Sequence, residues 1–186
     1  MKALIAFGTR YGATAGTSEE IAGILREEGF DVKIVNLKDE KVKDISEYDL
    51  IVVGSGMKMG KWVNEPKDFL NQFQKELNHK KLAILVSSMR TFAEKLGKTQ
   101  EEGVCSAQEA TEKILTECNL KPISVGIFGG VINYNKMGFF ERKMMGFLKA
   151  QLEKEGFKET EPGLYDMHNW NEIRNWAKEL SIQAKQ

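Results

Sequence analysis

The stretch "AFGTRYGATAGTSEEIAGIL" spans Ala6–Leu25 and completes the apolar opening "MKALIAFG". A strand-like run stops at Gly8. Small residues and hydroxyls follow without a lysine, and then a helical pattern begins. Within Thr9-Arg10-Tyr11-Gly12-Ala13-Thr14, Gly12 permits a tight backbone path while Thr9 and Thr14 offer hydroxyl groups. N–H groups at the start of the following helix add donors and a favourable dipole. Such a loop suits an anion, a phosphate monoester first of all. An ordinary capped strand–helix turn is the alternative.

The same alternation continues outward. "KALIAFG" (Lys2–Gly8), "DVKIVNL" (Asp31–Leu37), "DLIVVGS" (Asp49–Ser55), "KLAILVSS" (Lys81–Ser88) and "PISVGIFGG" (Pro122–Gly130) read as strands. Their centres are almost continuously apolar, the mark of parallel strands covered on both faces. Helical patterns occupy Thr14–Glu28, Pro66–Asn78, Val104–Cys118 and Trp170–Ala184. In the last of these Ile173, Ala177, Leu180 and Ala184 share one stripe beside Trp176. Gly29 occupies the usual position just after a helix, and Pro66 the first turn of one. The pattern predicts one α/β domain over 1–186, a doubly wound parallel sheet with helices on both faces. Ligands of such sheets bind beyond the carboxyl ends of the strands, so the following loops matter most.

Composition narrows the chemistry. The 27 basic and 27 acidic residues cancel, which argues against a nucleic-acid surface. No uninterrupted apolar stretch reaches about 18 residues, the length a membrane-spanning helix needs. The N-terminus reads as a strand within a few residues, leaving no room for a signal peptide. Cys105 and Cys118 fall on one helical pattern, roughly 20 Å apart on a straight helix. They read as reduced thiols of a cytoplasmic protein. His79 and His168 lack the spacing of metal ligands and read as solvated, so no metal is expected.

Two nucleotide motifs fail. A P-loop requires G-x-x-x-x-G-K-[ST], but Ser55–Trp62 has serine for the first glycine and tryptophan for the last hydroxyl. A dinucleotide fingerprint requires G-x-G-x-x-G, and "GSGMKMG" places Gly60 one residue late. The pattern T-x-x-G-x-T after the first strand instead resembles the phosphate loop of flavodoxins, which hold FMN without a lysine. The resemblance implies a five-stranded sheet in the order 2-1-3-4-5. It also implies FMN as cofactor, with its phosphate at Thr9, Arg10, Tyr11, Gly12, Ala13 and Thr14.

The loop "GSGMKMGKWVNEP" (Gly54–Pro66) combines glycines that admit a flat ring with apolar side chains that could cover it. By the same resemblance Ser55, Gly56, Met57, Lys58, Met59, Gly60 and Trp62 face the isoalloxazine. Ser87, Ser88 and Met89 meet its pyrimidine edge, with Arg90 or Thr91 at the rim. An apolar loop tip and a helix cap explain these two segments without a ligand.

About 40 residues separate the fifth strand from the last helix, far beyond ordinary loop lengths. In this insert, at about 131–156, Met137, Phe140, Met144, Phe147 or Leu148, and Leu152 form a stripe at helical spacing. Lys136, Arg142, Lys143 and Lys149 against Glu141 alone give Lys136–Lys149 a net +3. The stripe either packs on its own domain or serves a homodimer, a partner or the inner membrane surface. "GGVINYNKMGFFERKMMGFL" and "YDMHNWNEIRNWAKEL" are similar to the C-terminal third of menaquinone-dependent protoporphyrinogen oxidases, a flavodoxin branch. The likeness runs from Met1 to about Leu180.

That branch implies an FMN oxidoreductase that takes electrons from a small-molecule or protein donor and passes them to a quinone. No nucleophile or paired carboxylates stand out, so catalytic residues stay unassigned. An electron-carrier flavodoxin, an NAD(P)H-dependent quinone reductase and a non-redox interaction module are the alternatives. The insert is expected to dock a partner or a membrane-associated acceptor, and not to bind flavin.

Overall fold

The computed structural model describes residues 1–58, 60–88, 106–139, 142–143, 149, 152–154 and 157–186. Strand β1 (Lys2–Gly8) pairs in parallel with β2 (Asp31–Asn36) on one side and β3 (Leu50–Lys58) on the other. Beyond β3, a two-residue strand β4 (Lys61–Trp62) folds back antiparallel on it. β5 (Lys81–Ser87) and β6 (Ser124–Phe128) complete the sheet in the order β2-β1-β3-β5-β6. Leaving β4 aside, this is the expected order 2-1-3-4-5.

Alternate residues of each strand face opposite cores. Leu4, Ala6, Ile51, Val53, Ile84 and Val86 pack under α2 (Asn64–Gln72), α3 (Gln74–Leu77) and α4 (Ala107–Glu117). Ala3, Ile5, Leu50, Val52, Ala83 and Leu85 pack under α1 (Ala13–Glu27) and α5 (Trp170–Lys185). Two buried faces account for the unbroken apolar runs in the sequence. Each fully buried leucine or isoleucine contributes about 1.5–3 kcal/mol to holding the layers together. The expected stripe of α5 is fully buried at Ile173, Ala177, Leu180 and Ala184.

The structure departs from the sequence reading at several boundaries. The helix expected over Val104–Cys118 begins at Ala107, because Ser106 caps it by accepting from the Glu109 N–H. The helix expected over Pro66–Asn78 begins at Asn64 and breaks at Phe73, whose ring packs on Phe69 at 4.9 Å. Pro66 sits in its first turn, where no intrahelical partner exists for an N–H. β3 does not end at Ser55 but runs on to Lys58. β6 ends at Phe128, because the next residue lies against returning chain: a β-carbon on Gly129 would stand 2.0 Å from the Met167 carbonyl oxygen.

Past Gly129 the chain builds a small annex. β7 (Val131–Asn133) pairs antiparallel with β8 (Leu164–Asp166), and a 3₁₀ turn follows over Tyr134–Lys136. Ile132, Tyr134, Met137, Leu152, Tyr165 and Met167 form its own apolar cluster. Two members of the expected stripe, Met137 and Leu152, are therefore turned into the protein. Phe140, Met144, Phe147 and Leu148 lie outside the described residues, as does Cys105. Cys118 is a free buried thiol whose acidity burial suppresses, and its Sγ donates to Asn71 Oδ1.

Two glycines make opposite predictions. Gly129→Ala should destabilise the protein by about 1–3 kcal/mol, since something must move to admit the methyl group. Gly23, inside α1, has nothing within 4 Å of a β-carbon. Gly23→Ala should stabilise by about 0.5–1 kcal/mol. Denaturant midpoints of the two variants check both.

Tyr165 supplies a pH prediction. It is fully buried and its hydroxyl donates to Glu153 Oε1, and burial first, then Glu153, pushes its acidity constant well up. A phenol raised in the fold contributes stability that is complete below its unfolded value, about 10, and lost as pH rises beyond it. The stability of Tyr165→Phe should therefore fall less steeply than that of the parent above that pH. Parallel pH-dependent unfolding curves for the two proteins would reject this.

Candidate functional site

Parallel pairing brings the carboxyl ends of three strands side by side. Gly8 of β1 is opposite Ser55 of β3, and Gly56 of β3 is opposite Ser87 of β5. Ser88 N–H donates to the Phe128 carbonyl at 3.0 Å, which extends the row to β6. Strand order reverses between β1 and β3, and α1 and α2 leave on opposite faces there. This is where a doubly wound sheet opens a crevice.

The loop after β1 presents several donors at the start of α1. Gly12 is the N-cap of α1 with φ of 100°, a left-handed conformation that favours glycine. Its N–H donates to Thr9 Oγ1 at 3.0 Å, so the Thr9 O–H is left to donate outward. No side chain caps α1 and no acidic residue lies in its first turn. Its first N–H groups have no partners within the helix, and the dipole there favours negative charge. Thr14 is fully buried, yet its Oγ1 has no hydrogen-bond partner among the described residues. A buried hydroxyl in that state costs about 1–3 kcal/mol unless an acceptor reaches it.

The glycines of β3 are close-packing residues. A β-carbon on Gly54 would stand 2.9 Å from Phe7 Cβ and 3.2 Å from Thr14 Cγ2. One on Gly56 would lie 3.3 Å from Thr14 Oγ1 and 3.9 Å from the Arg10 nitrogen. Gly56 and the 9–14 loop thus form one cradle that any side chain would fill. Gly60, with φ of 74°, turns the chain between β3 and β4.

The other candidates sort by burial. Ser55 is fully buried, its hydroxyl donating to the Gly56 carbonyl. Trp62 is 6% exposed, and its Nε1 donates to Thr111 Oγ1 of α4. Its ring belongs to the core beneath the hairpin. Met57 is half-buried, which leaves it as the apolar side chain that this hairpin offers at the surface among the described residues. Lys58 is described by its backbone alone, and Met59, Met89, Arg90 and Thr91 lie outside the described residues. Ser87 and Ser88 are buried, and Ser87 Oγ has no partner among the described residues. Arg10 holds its guanidinium over the Tyr11 ring at 5.1 Å, and Tyr11 packs against the annex cluster. Ala13 opens α1 and accepts a bond from Thr17.

Two features went unseen in the sequence. Lys136 of the annex reaches the 9–14 loop, its Nζ standing 3.9 Å from where a Gly12 β-carbon would be. His168, read as solvated, has a side chain only 2% exposed. Its Nδ1 lies 2.5 Å from Asp166 Oδ1, it stacks on Trp170 at 4.4 Å, and its Nε2 is without a partner among the described residues. The Asp-x-His spacing was the available signal, because β8 directs Asp166 back onto the histidine. A groove of about 560 Å³ lies along β6 and α5, lined by Val125, Ile127, Asn169, Asn175 and Trp176 among others. It includes none of the loop residues above. Among the described residues no helix is long and apolar enough to cross a membrane, and no cluster of side chains could hold a metal ion.

Known proteins resemble this chain over nearly its whole length. The chain is 23% identical over 181 residues to the protoporphyrinogen IX dehydrogenase (quinone) of Escherichia coli strain K12, covering 97% of this chain and 95% of that one. It is 24% identical to the protein of the same name from Leishmania major, covering 97% of this chain and 74% of that one. Among solved structures, the flavodoxin of Streptococcus pneumonia TIGR4 superposes with a TM-score of 0.58 at 16% identity, covering 100% of this chain and 98% of that one. Residues 4–160 match the flavodoxin domain family, and the chain is a member of it.

Proposed function

We propose that this flavodoxin-domain protein binds FMN at the 9–14 loop and acts as an oxidoreductase that delivers electrons to a quinone. The buried, partnerless hydroxyl of Thr14 at the cap-free start of α1 carries the reading, because a phosphate oxygen is the acceptor that its surroundings admit. The relatives named as quinone-linked protoporphyrinogen dehydrogenases, alike over nearly the whole chain, support a quinone as acceptor and a porphyrinogen as donor.

When bound, the flavin supplies the electron-transfer chemistry. The protein's residues hold and shape. Thr9 and Thr14 donate to the phosphate together with the first N–H groups of α1. Gly56 keeps the cradle open. The backbone at Ser87 and Ser88 would border the flat ring, and Met57 would cover part of it. Phe139 is 80% exposed beside the basic Arg142 and Lys143, a combination that suits contact with a membrane holding the quinone.

The purified protein should show a flavin absorption spectrum, and the apoprotein should bind FMN more tightly than riboflavin. Thr14→Ala should weaken FMN by about 1–3 kcal/mol and leave riboflavin unchanged. Equal affinities of the parent for the two flavins would remove the phosphate assignment. Oxidation of protoporphyrinogen coupled to quinone reduction is the activity to assay.

Met57 and Trp62 should separate cleanly. Met57→Ala should alter the spectrum or potential of the bound flavin with little loss of stability. Trp62→Ala should cost about 3–5 kcal/mol of stability, as expected for a buried aromatic. A flavin spectrum insensitive to Met57→Ala would exclude that side chain from the ring.

A further inference from the structure

The phosphate loop contains no lysine, and a phosphate monoester brings up to two negative charges to a site built of neutral donors. The annex supplies what the loop lacks. Lys136 ends the 3₁₀ turn that follows β7, and its backbone is fixed from several sides. Asn133 Oδ1 accepts from the Asn135 N–H at 3.0 Å, and Asn135 Nδ2 donates to the Pro162 carbonyl at 2.7 Å. The Tyr134 N–H donates to the Gly163 carbonyl at 2.8 Å, and the Tyr134 side chain is buried in the annex cluster. Tyr11 of the phosphate loop packs against that same cluster, so the loop and the turn share one apolar support. From it Lys136 Nζ extends to 3.9 Å from the β-carbon position of Gly12, the N-cap of α1. Among the described residues no carboxylate pairs with it, whereas Lys149 of the same insert is paired with Glu159 at 2.6 Å.

We infer that Lys136 is a ligand of the cofactor phosphate, a cation delivered across the site by the insert after strand five. This rests on the reading of the 9–14 loop as a phosphate receptor, which the orphaned Thr14 hydroxyl supports independently of any lysine. An ammonium at that position adds a charge-assisted bond to the neutral donors and favours the doubly ionised phosphate. It also gives the insert a part in cofactor binding, where its sequence suggested docking alone. A lysine held in place only by chance would show none of the selectivity that follows.

The test compares the parent, Lys136→Met, Lys136→Arg and Lys143→Met as apoproteins titrated with FMN, riboflavin and inorganic phosphate. Lys136→Met should lose about tenfold in FMN affinity and nothing for riboflavin, the scale of one charge-assisted contact. Lys136→Arg should recover most of the loss, and Lys143→Met, exposed on the same insert, should behave as the parent. Added salt should weaken FMN binding more in the parent than in Lys136→Met. An FMN affinity for Lys136→Met within about twofold of the parent overturns the inference, since a direct charge-assisted contact is worth more than that. If the parent itself prefers FMN no more than riboflavin, the phosphate-loop reading fails instead. The inorganic phosphate titration then decides: phosphate binding lost in Lys136→Met sustains the lysine's role, and its absence in the parent overturns that role too.

Discussion

Between β3 and the first turn of α1 there is room for a hydrogen atom but hardly for a methyl group. Gly54 and Gly56 occupy that gap, with Phe7 and the Thr14 side chain pressed against them. The close approach seats the Thr14 hydroxyl beneath the strand and keeps the turn before α1 directly beside the end of β3. Parallel pairing does the rest, because strands that run the same way deliver all their following loops to one edge. The site is thus a by-product of sheet register, adjusted by two missing side chains.

The two faces of the sheet have separate duties at that edge. α1 carries its uncapped amino end to the crevice from one side. On the other, the β3–β4 hairpin is pinned from below by Trp62, whose indole N–H reaches Thr111 of α4. The floor under the hairpin and the helix beside it are thus held by packing before any ligand enters. Prior organisation of this kind lowers the ordering penalty of binding.

The strands were legible because burial on both faces leaves an unbroken apolar signature, as in "ALIAF" and "LAILV". The turn after β1, with Gly12 at its corner, was legible because glycine and hydroxyl chemistry is local. Other features were set by tertiary contact and escaped. Trp62 reads as a loop residue until β4 is seen to fold under β3. β7 and β8 are three residues each, too short for alternation to register, and they pair across thirty intervening positions. His168 is buried by a stack on Trp170 and a bond to Asp166, neither of which hydrophobic periodicity can reveal. Lys136 belongs by sequence to a basic stretch, and only the annex turns it toward Gly12.

The pairing of Val131 with Asp166 also bears on how this chain can vary. The two short strands act as a clasp that brings the ends of the intervening segment together. Once ends are clasped, the entropy of closing a flexible segment grows only with the logarithm of its length, about 0.6 kcal/mol for each doubling. Changes of length away from Lys136 and from the Tyr134, Met137 and Leu152 side chains that pack in the annex would on that ground carry a small thermodynamic penalty. The parallel sheet beneath would not register the change, which makes this region a natural place for related proteins to diversify without refashioning their common platform.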